Sequence, residues 1–184
     1  MNPEIELNVL SLEDSSKDFD FICERLMDDG FNMKITRVEK ESEYISSLRN
    51  TDWDIILADF KLPGFNAFAA LRISREICPD VPFICVSGTI GEETAIDLIK
   101  SGAVDYVLKD RLARLPAAIN RALGEAKEKQ ARRMAEEALK EKMGELISFH
   151  DLAVGRELRM IALKKEVNEL LRKLGEDEKY TIVE

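Results

Sequence analysis

The run DIILAD, residues 54–59, decides the reading of this chain: four consecutive apolar residues with a carboxylate at each end. A strand that is apolar on both faces belongs inside a sheet covered on both sides, and such sheets are parallel and flanked by helices. In open sheets of that kind ligands gather outside the carboxyl ends of the strands. Asp59, the last residue of the run, is therefore expected at the reactive rim.

Outward from this run the same unit recurs. Strand-like runs at residues 5–12 (IELNVLSL), 32–38 (NMKITRV), 82–88 (PFICVSG) and 105–109 (DYVLK) alternate with amphipathic helical segments at 16–29, 42–48, 67–77 and 92–101, and a further helix begins near Leu112. Alternation of this sort predicts an α/β fold, a doubly wound sheet of five parallel strands over residues 1–124. Gly30 and Gly102 follow helical patterns where a left-handed cap is expected, and Pro79 with Pro82 closes another helix before a strand.

With 184 residues, 45% of them hydrophobic, the chain can bury one good core and has length left for an appendage. Its three cysteines, Cys23, Cys78 and Cys85, lie in apolar or helical runs and read as buried free thiols of a reducing compartment. The opening MNPEIEL has no basic region leading into an apolar run, and no apolar stretch reaches bilayer length, so a cytoplasmic protein without a membrane partner is expected. Charge is unevenly divided. Residues 1–124 carry 14 Lys and Arg against 22 Asp and Glu, net −8, whereas residues 125–184 carry 13 against 14, net −1. An acidic domain repels nucleic acid but can hold a divalent cation, and the balanced tail lacks the basic stripe and helix-turn-helix that DNA binding requires.

The tail, residues 125–184, is predicted to be helical. Residues 124–145 are rich in Ala, Glu, Lys and Arg and free of Pro, which favours a long solvated helix. Beyond them Leu146, Phe149, Ala153, Arg156, Met160, Leu163, Val167, Leu170 and Leu174 fall at spacings of three and four, the pattern of a helix that buries one face against another. A homodimer through coiled-coil pairing of these helices is expected, with folding back onto the same chain as the alternative. Gly155 and Arg156 interrupt the stripe and mark an expected break. Gly175 reads as the C-terminal stop.

At the strand ends the sheet should gather Glu13 and Asp14 after the first strand, Asp59 after the third, Ser87 after the fourth and Lys109 at the end of the fifth. Three carboxylates in a partly desolvated pocket repel one another, and a hard cation that prefers oxygen ligands, Mg²⁺, is the natural neutraliser. Asp59 could then attack a phosphoryl donor as other carboxylate nucleophiles do, with Lys109 and the Ser87 hydroxyl receiving the phosphoryl oxygens. Taken singly, each of these residues has a plainer explanation as a turn former, cap or surface charge. Their convergence on one rim is what points to chemistry.

The segments LEDS (12–15), ILADFKLPGF (56–65), VSGTIGEE (86–93) and DYVLKD (105–110) resemble, in order and spacing, the successive signatures of response-regulator receiver domains, over about two thirds of the chain. The resemblance implies a flavodoxin-like sheet of order 2-1-3-4-5, a sensor histidine kinase as phosphate donor, and Mg²⁺ as cofactor. It makes Asp59 the phosphorylated aspartate, Asp14 a direct metal ligand, Glu13 a ligand through water, and the Lys61 backbone carbonyl a further ligand. It makes Ser87 the hydroxyl that moves toward the phosphoryl group, Tyr106 the switch aromatic, and Lys109 the family lysine. Lys61 and Thr89 stand where the family tunes phosphate lifetime. Asp110 follows Lys109 where many members have Pro, so the cis peptide common there is not required.

Two other readings compete. A phosphohydrolase with an Asp nucleophile would carry a second Asp two residues on, where this chain has Lys61. His150, the only histidine, lies in ISFHDLAVGREL and faintly resembles the phosphoacceptor helix of a histidine kinase, which would make the chain a dimeric phosphotransfer protein. The 34 residues after it are too few for an ATP-binding domain.

Overall fold

The computed structural model describes residues 6–88, 91–177 and 179–181. Five strands, β1 (Leu7–Leu12), β2 (Met33–Val38), β3 (Ile55–Asp59), β6 (Phe83–Ser87) and β7 (Asp105–Leu108), form one parallel sheet in the order β2-β1-β3-β6-β7. Counting only these five, that is the 2-1-3-4-5 order expected. Between β3 and the next helix lies an unexpected two-residue hairpin, β4 (Lys61–Leu62) paired with β5 (Phe65–Asn66) across Pro63 and Gly64.

The helices are α1 (Ser16–Asp28), α2 (Glu41–Asn50), α3 (Ala67–Ile77), α4 (Glu92–Lys100) and α5 (Leu115–Leu174), with a 3₁₀ segment at Lys109–Arg114. Side-chain caps explain two of the starts: Ser15 accepts from the Asp18 N–H before α1, and Asn66 from the Ala69 N–H before α3. Gly30 and Gly102 adopt φ values of 80° and 112°. At both, two backbone N–H groups turn back onto the last carbonyls of the helix, the closure for which a residue without Cβ is favoured.

Alternation along β3 sends Ile56 and Ala58 to one side and Ile55 and Leu57 to the other. The first pair joins Leu10, Tyr44, Leu71, Phe83 and Leu98 in one buried cluster; the second joins Ile22, Leu26, Leu115, Ile119 and Ala122 in another. Two apolar layers thus clamp the sheet and leave its polar groups at the strand ends. Of the three free cysteines only Cys85 is buried; Cys23 and Cys78 are half-buried, correcting the expectation for those two.

The chain divides into two compact units, Met1–Ala131 and Arg132–Glu184. The first runs past residue 124 because α5 buries its turns through Ala122 and pairs Lys129 with Asp80 at 3.4 Å. In the second, α5 continues through Gly155 without the expected break. Outside the helix's own local backbone nothing lies within 4 Å of where a Gly155 Cβ would stand, so no crowding accompanies that residue. The helix does stop at Gly175, whose φ of 80° lets Glu176 and Gly175 return hydrogen bonds to Leu171 and Arg172. The segment beyond folds back: the buried Asn168 amide accepts from the N–H groups of Lys179 (3.1 Å) and Tyr180 (3.0 Å) and donates to the Tyr180 carbonyl (2.7 Å). No helix among the described residues is long and apolar enough to cross a membrane.

Candidate functional site

Asp59 ends the apolar strand β3 half-buried, with its Oδ1 accepting the Phe60 N–H at 2.6 Å. Its neighbours arrive by sheet register. Leu12 pairs with Ala58, so the two residues that follow β1, Glu13 and Asp14, reach the same rim; Asp59 pairs with Val86, so Ser87 lies one residue beyond on the next strand; Ser87 pairs with Leu108, so Lys109 follows directly. Four parallel strands ending in step therefore deliver four separate loops to one place. Lys109 opens the 3₁₀ segment rather than ending β7, because the chain turns immediately after Leu108.

The Lys109 ammonium is the hub. Its Nζ donates to Asp59 Oδ2 at 2.9 Å and to Asp18 Oδ2 at 2.7 Å, and stands 2.7 Å from Glu13 Oε2. The Glu13 contact is an ion pair out of hydrogen-bond alignment, so Glu13 Oε2 is buried without an aligned donor. Burial is the largest influence on this lysine and favours proton loss, but the bonds to Asp18, Glu13 and Asp59 outweigh it and raise its pKa well above the ordinary value. Burial also dominates at Glu13, only 1% exposed, and raises its carboxyl despite Lys109 and the Ser15 N–H that Oε1 accepts at 3.1 Å.

Glu13, Asp14 and Asp59 each offer a carboxylate oxygen, and these lie within 4.8 Å of one another. Three hard oxygen donors, with Asp14 exposed to entering ions and the buried Glu13 Oε2 lacking an aligned donor, fit a small divalent cation such as Mg²⁺, which keeps several waters. Of the remaining predicted residues, Ser87 is buried at the end of β6. Lys61 sits exposed in the hairpin two residues past Asp59, paired with Asn66. Tyr106 is half-buried and paired with Cys85; it lines a groove of about 340 Å³ with Glu92, Ala95, Ile96, Ile99 and Lys100, away from the acidic cluster. Thr89 lies outside the described residues. His150 is exposed on α5 in the second unit, 3.8 Å from its neighbour Asp151.

Asp18 was not singled out from the sequence. The signal was present: Asp18 follows Asp14 by four residues, one helical turn, and stands three after the cap Ser15. Beneath the site, Cys85 is fully buried opposite Ala58, and burial, with Asp59 nearby, pushes its thiol up to about 12, which makes it a packing residue rather than a nucleophile.

Residues 9–120 match the response regulator receiver domain family. Among curated proteins, the cell cycle transcriptional regulator CtrA of Caulobacter vibrioides is 30% identical over 125 residues, 65% of this chain and 53% of CtrA. The chain thus spans about half the length of that relative. Among solved structures, the receiver domain of the sensor histidine kinase PA1611 from Pseudomonas aeruginosa, which has a magnesium ion coordinated in its active site cleft, superposes with a TM-score of 0.56 at 24% identity, covering 65% of this chain and 99% of that one. A CheY-like receiver domain protein from Methanospirillum hungatei gives 0.59 at 21% identity, over 68% and 99%.

Proposed function

The chain belongs to the response regulator receiver family of two-component signalling, and from that premise we propose that it is a cytoplasmic phosphoacceptor switch, phosphorylated on Asp59 by a partner sensor histidine kinase. The observation that carries this reading is the placement of the Asp59 carboxylate between the Lys109 ammonium, 2.9 Å away, and the Glu13 and Asp14 carboxylates. A nucleophile, a fixed positive charge and a cation site then surround one volume at the mouth of the sheet.

In the proposed transfer an Asp59 oxygen forms the bond to phosphorus as the bond to the donor breaks, and the departing group keeps the electron pair. An acyl phosphate results. Asp14, Asp59 and the Lys61 backbone carbonyl, with Glu13 through water, would hold Mg²⁺, which would supply charge compensation for the phosphoryl oxygens. Lys109 is already charged and within reach of the new negative charge, and the Ser87 hydroxyl can donate to a second oxygen. Phosphorylation adds about two negative charges at one strand end. Drawing Ser87 and Lys109 toward them changes the packing at β6 and β7, and Tyr106 with its groove beside α4 reads that change out.

The output is proposed to be protein association rather than turnover of a small substrate. Leu146, Phe149, Leu152, Met160, Leu163 and Leu170 are all at least half exposed within one chain, which supports pairing of the C-terminal helices of two copies. The test combines both parts: acetyl phosphate or beryllofluoride with Mg²⁺, on the native chain and Asp59→Asn. Mass spectrometry should show one phosphoryl group on the native chain and none on the variant, and sedimentation should show a dimer. Unaltered uptake in Asp59→Asn would overturn the assignment.

A further inference from the structure

Four carboxylates stand around this site, and they divide into two kinds. Glu13, Asp14 and Asp59 converge on one volume suited to a cation. Asp18 is outside that group: among the described residues its side chain has a single partner, the Lys109 ammonium at 2.7 Å. It sits in the first turn of α1 with its backbone N–H bonded to the Ser15 cap at 3.2 Å, so its position is set by the helix start rather than by the reacting loops.

That division matters because a lysine side chain is a flexible stem carrying a point charge with three donors. Of the other two carboxylates on Lys109, Asp59 must expose its oxygen to phosphorus and Glu13 belongs with the cation. Both must loosen their hold on the ammonium during transfer. We infer that Asp18 is a positioning residue for phosphoryl transfer: it anchors Lys109 from outside the carboxylate group that converges on the cation site, so that the ammonium stays aimed at Asp59 while its other partners change. This rests on the reading of Asp59 as phosphoacceptor. Without Asp18, Lys109 would settle on Asp59 and Glu13, occupying the oxygens that the cation and the phosphorus need.

The test uses the full chain with Asp18→Asn, Asp18→Glu, Lys109→Ala and the double variant Asp18→Asn with Lys109→Ala. Asp18→Asn should slow phosphorylation by acetyl phosphate by roughly five- to tenfold, less than a fully buried charged hydrogen bond would give because the Asp18 side chain is part-exposed. Asp18→Glu, which keeps the charge, should recover much of that rate. In the Lys109→Ala background the Asn substitution should change nothing further, because an effect that acts through Lys109 disappears with it. A separate readout, in protein without cation or phosphoryl donor, is the NMR signal of the Lys109 ammonium protons: held in hydrogen bonds in the native chain, and weakened or lost by exchange in Asp18→Asn. A native rate in Asp18→Asn, or a loss of the same size in the Lys109→Ala background, would overturn the inference while leaving Asp59 as phosphoacceptor. Failure of the native chain to take phosphate on Asp59 would instead remove the functional reading and this inference with it.

Discussion

The two units treat their apolar residues in opposite ways. In the first, Leu57, Ile84 and Val86 from the sheet, Ile22 and Leu26 from α1, and Leu115 and Ile119 from α5 are each 1% exposed or less. In the second, Phe149 is 71% exposed and Leu152 75%. Burial inside the chain therefore specifies the first unit, whereas helix propensity and end capping specify the second, whose apolar area remains available to another surface. Stability should reside in one and association in the other.

The sharpest way to break that contrast is a pair of truncations. Ile56→Ala, in the fully buried layer, should destabilise the first unit by about 2–5 kcal/mol, from lost transfer energy and the cavity left behind. Leu152→Ala should change the same transition by less than about 0.5 kcal/mol, as exposed substitutions do, yet weaken the proposed dimer. Urea unfolding followed by Trp53 fluorescence, beside sedimentation, reads both. Equal effects on stability would mean that the second unit is not an independent helix seeking a partner.

Ionisable groups divide in the same manner. Ion pairs of the second unit, such as Lys173 with Glu169 at 3.3 Å, are exposed and spaced by one turn, so they contribute little and are weakened by salt. The rim of the first unit should instead leave a pH signature. The Lys109 pKa is raised in the folded chain, so its contribution is fully present below the unfolded value near 10.5 and is lost as pH rises through the higher folded value. Glu13 is also raised, here by burial first, so the folded chain is penalised as pH climbs from 4.5 through the folded value. Lys109→Met should flatten the alkaline decline. Glu13→Gln should stabilise the cation-free chain near neutrality and lose that advantage near pH 4.5. Denaturant titrations across pH check both signs.

Where the pattern of residues carried strong periodicity, the fold was legible: DIILAD gave a doubly covered strand, and the glycines gave helix ends. Five of the rim residues could be named because parallel strands in register place successive loop starts together, so position along the chain converts directly into proximity. Asp18 escaped because it lies inside a helix, where an acid in the first turn is explained by the macrodipole alone. The Lys61–Asn66 hairpin escaped because two-residue strands have no period to detect, although Pro63-Gly64 was a turn signal. The return of Lys179 and Tyr180 onto Asn168 depends on a single buried amide, which no local pattern announces.

The expected break at Gly155 failed for a reason that yields the smallest prediction. A glycine inside a helix costs about 1 kcal/mol relative to alanine, chiefly in backbone entropy. Within a helix of 60 residues that cost is shared: hydrogen bonds on both sides are already formed, and only nucleation is expensive. Since nothing beyond the local helix backbone lies within 4 Å of the missing Cβ and the residue is exposed, alanine can be added there without displacing anything. Gly155→Ala should therefore raise the stability of the second unit by about 0.5–1 kcal/mol, seen as slower amide exchange on both sides of residue 155, and leave phosphorylation of Asp59 unchanged. Faster exchange would show that the glycine serves as a hinge, and the contrast between a packed unit and a propensity-driven helix would have to give way to one in which the second unit also bends to function.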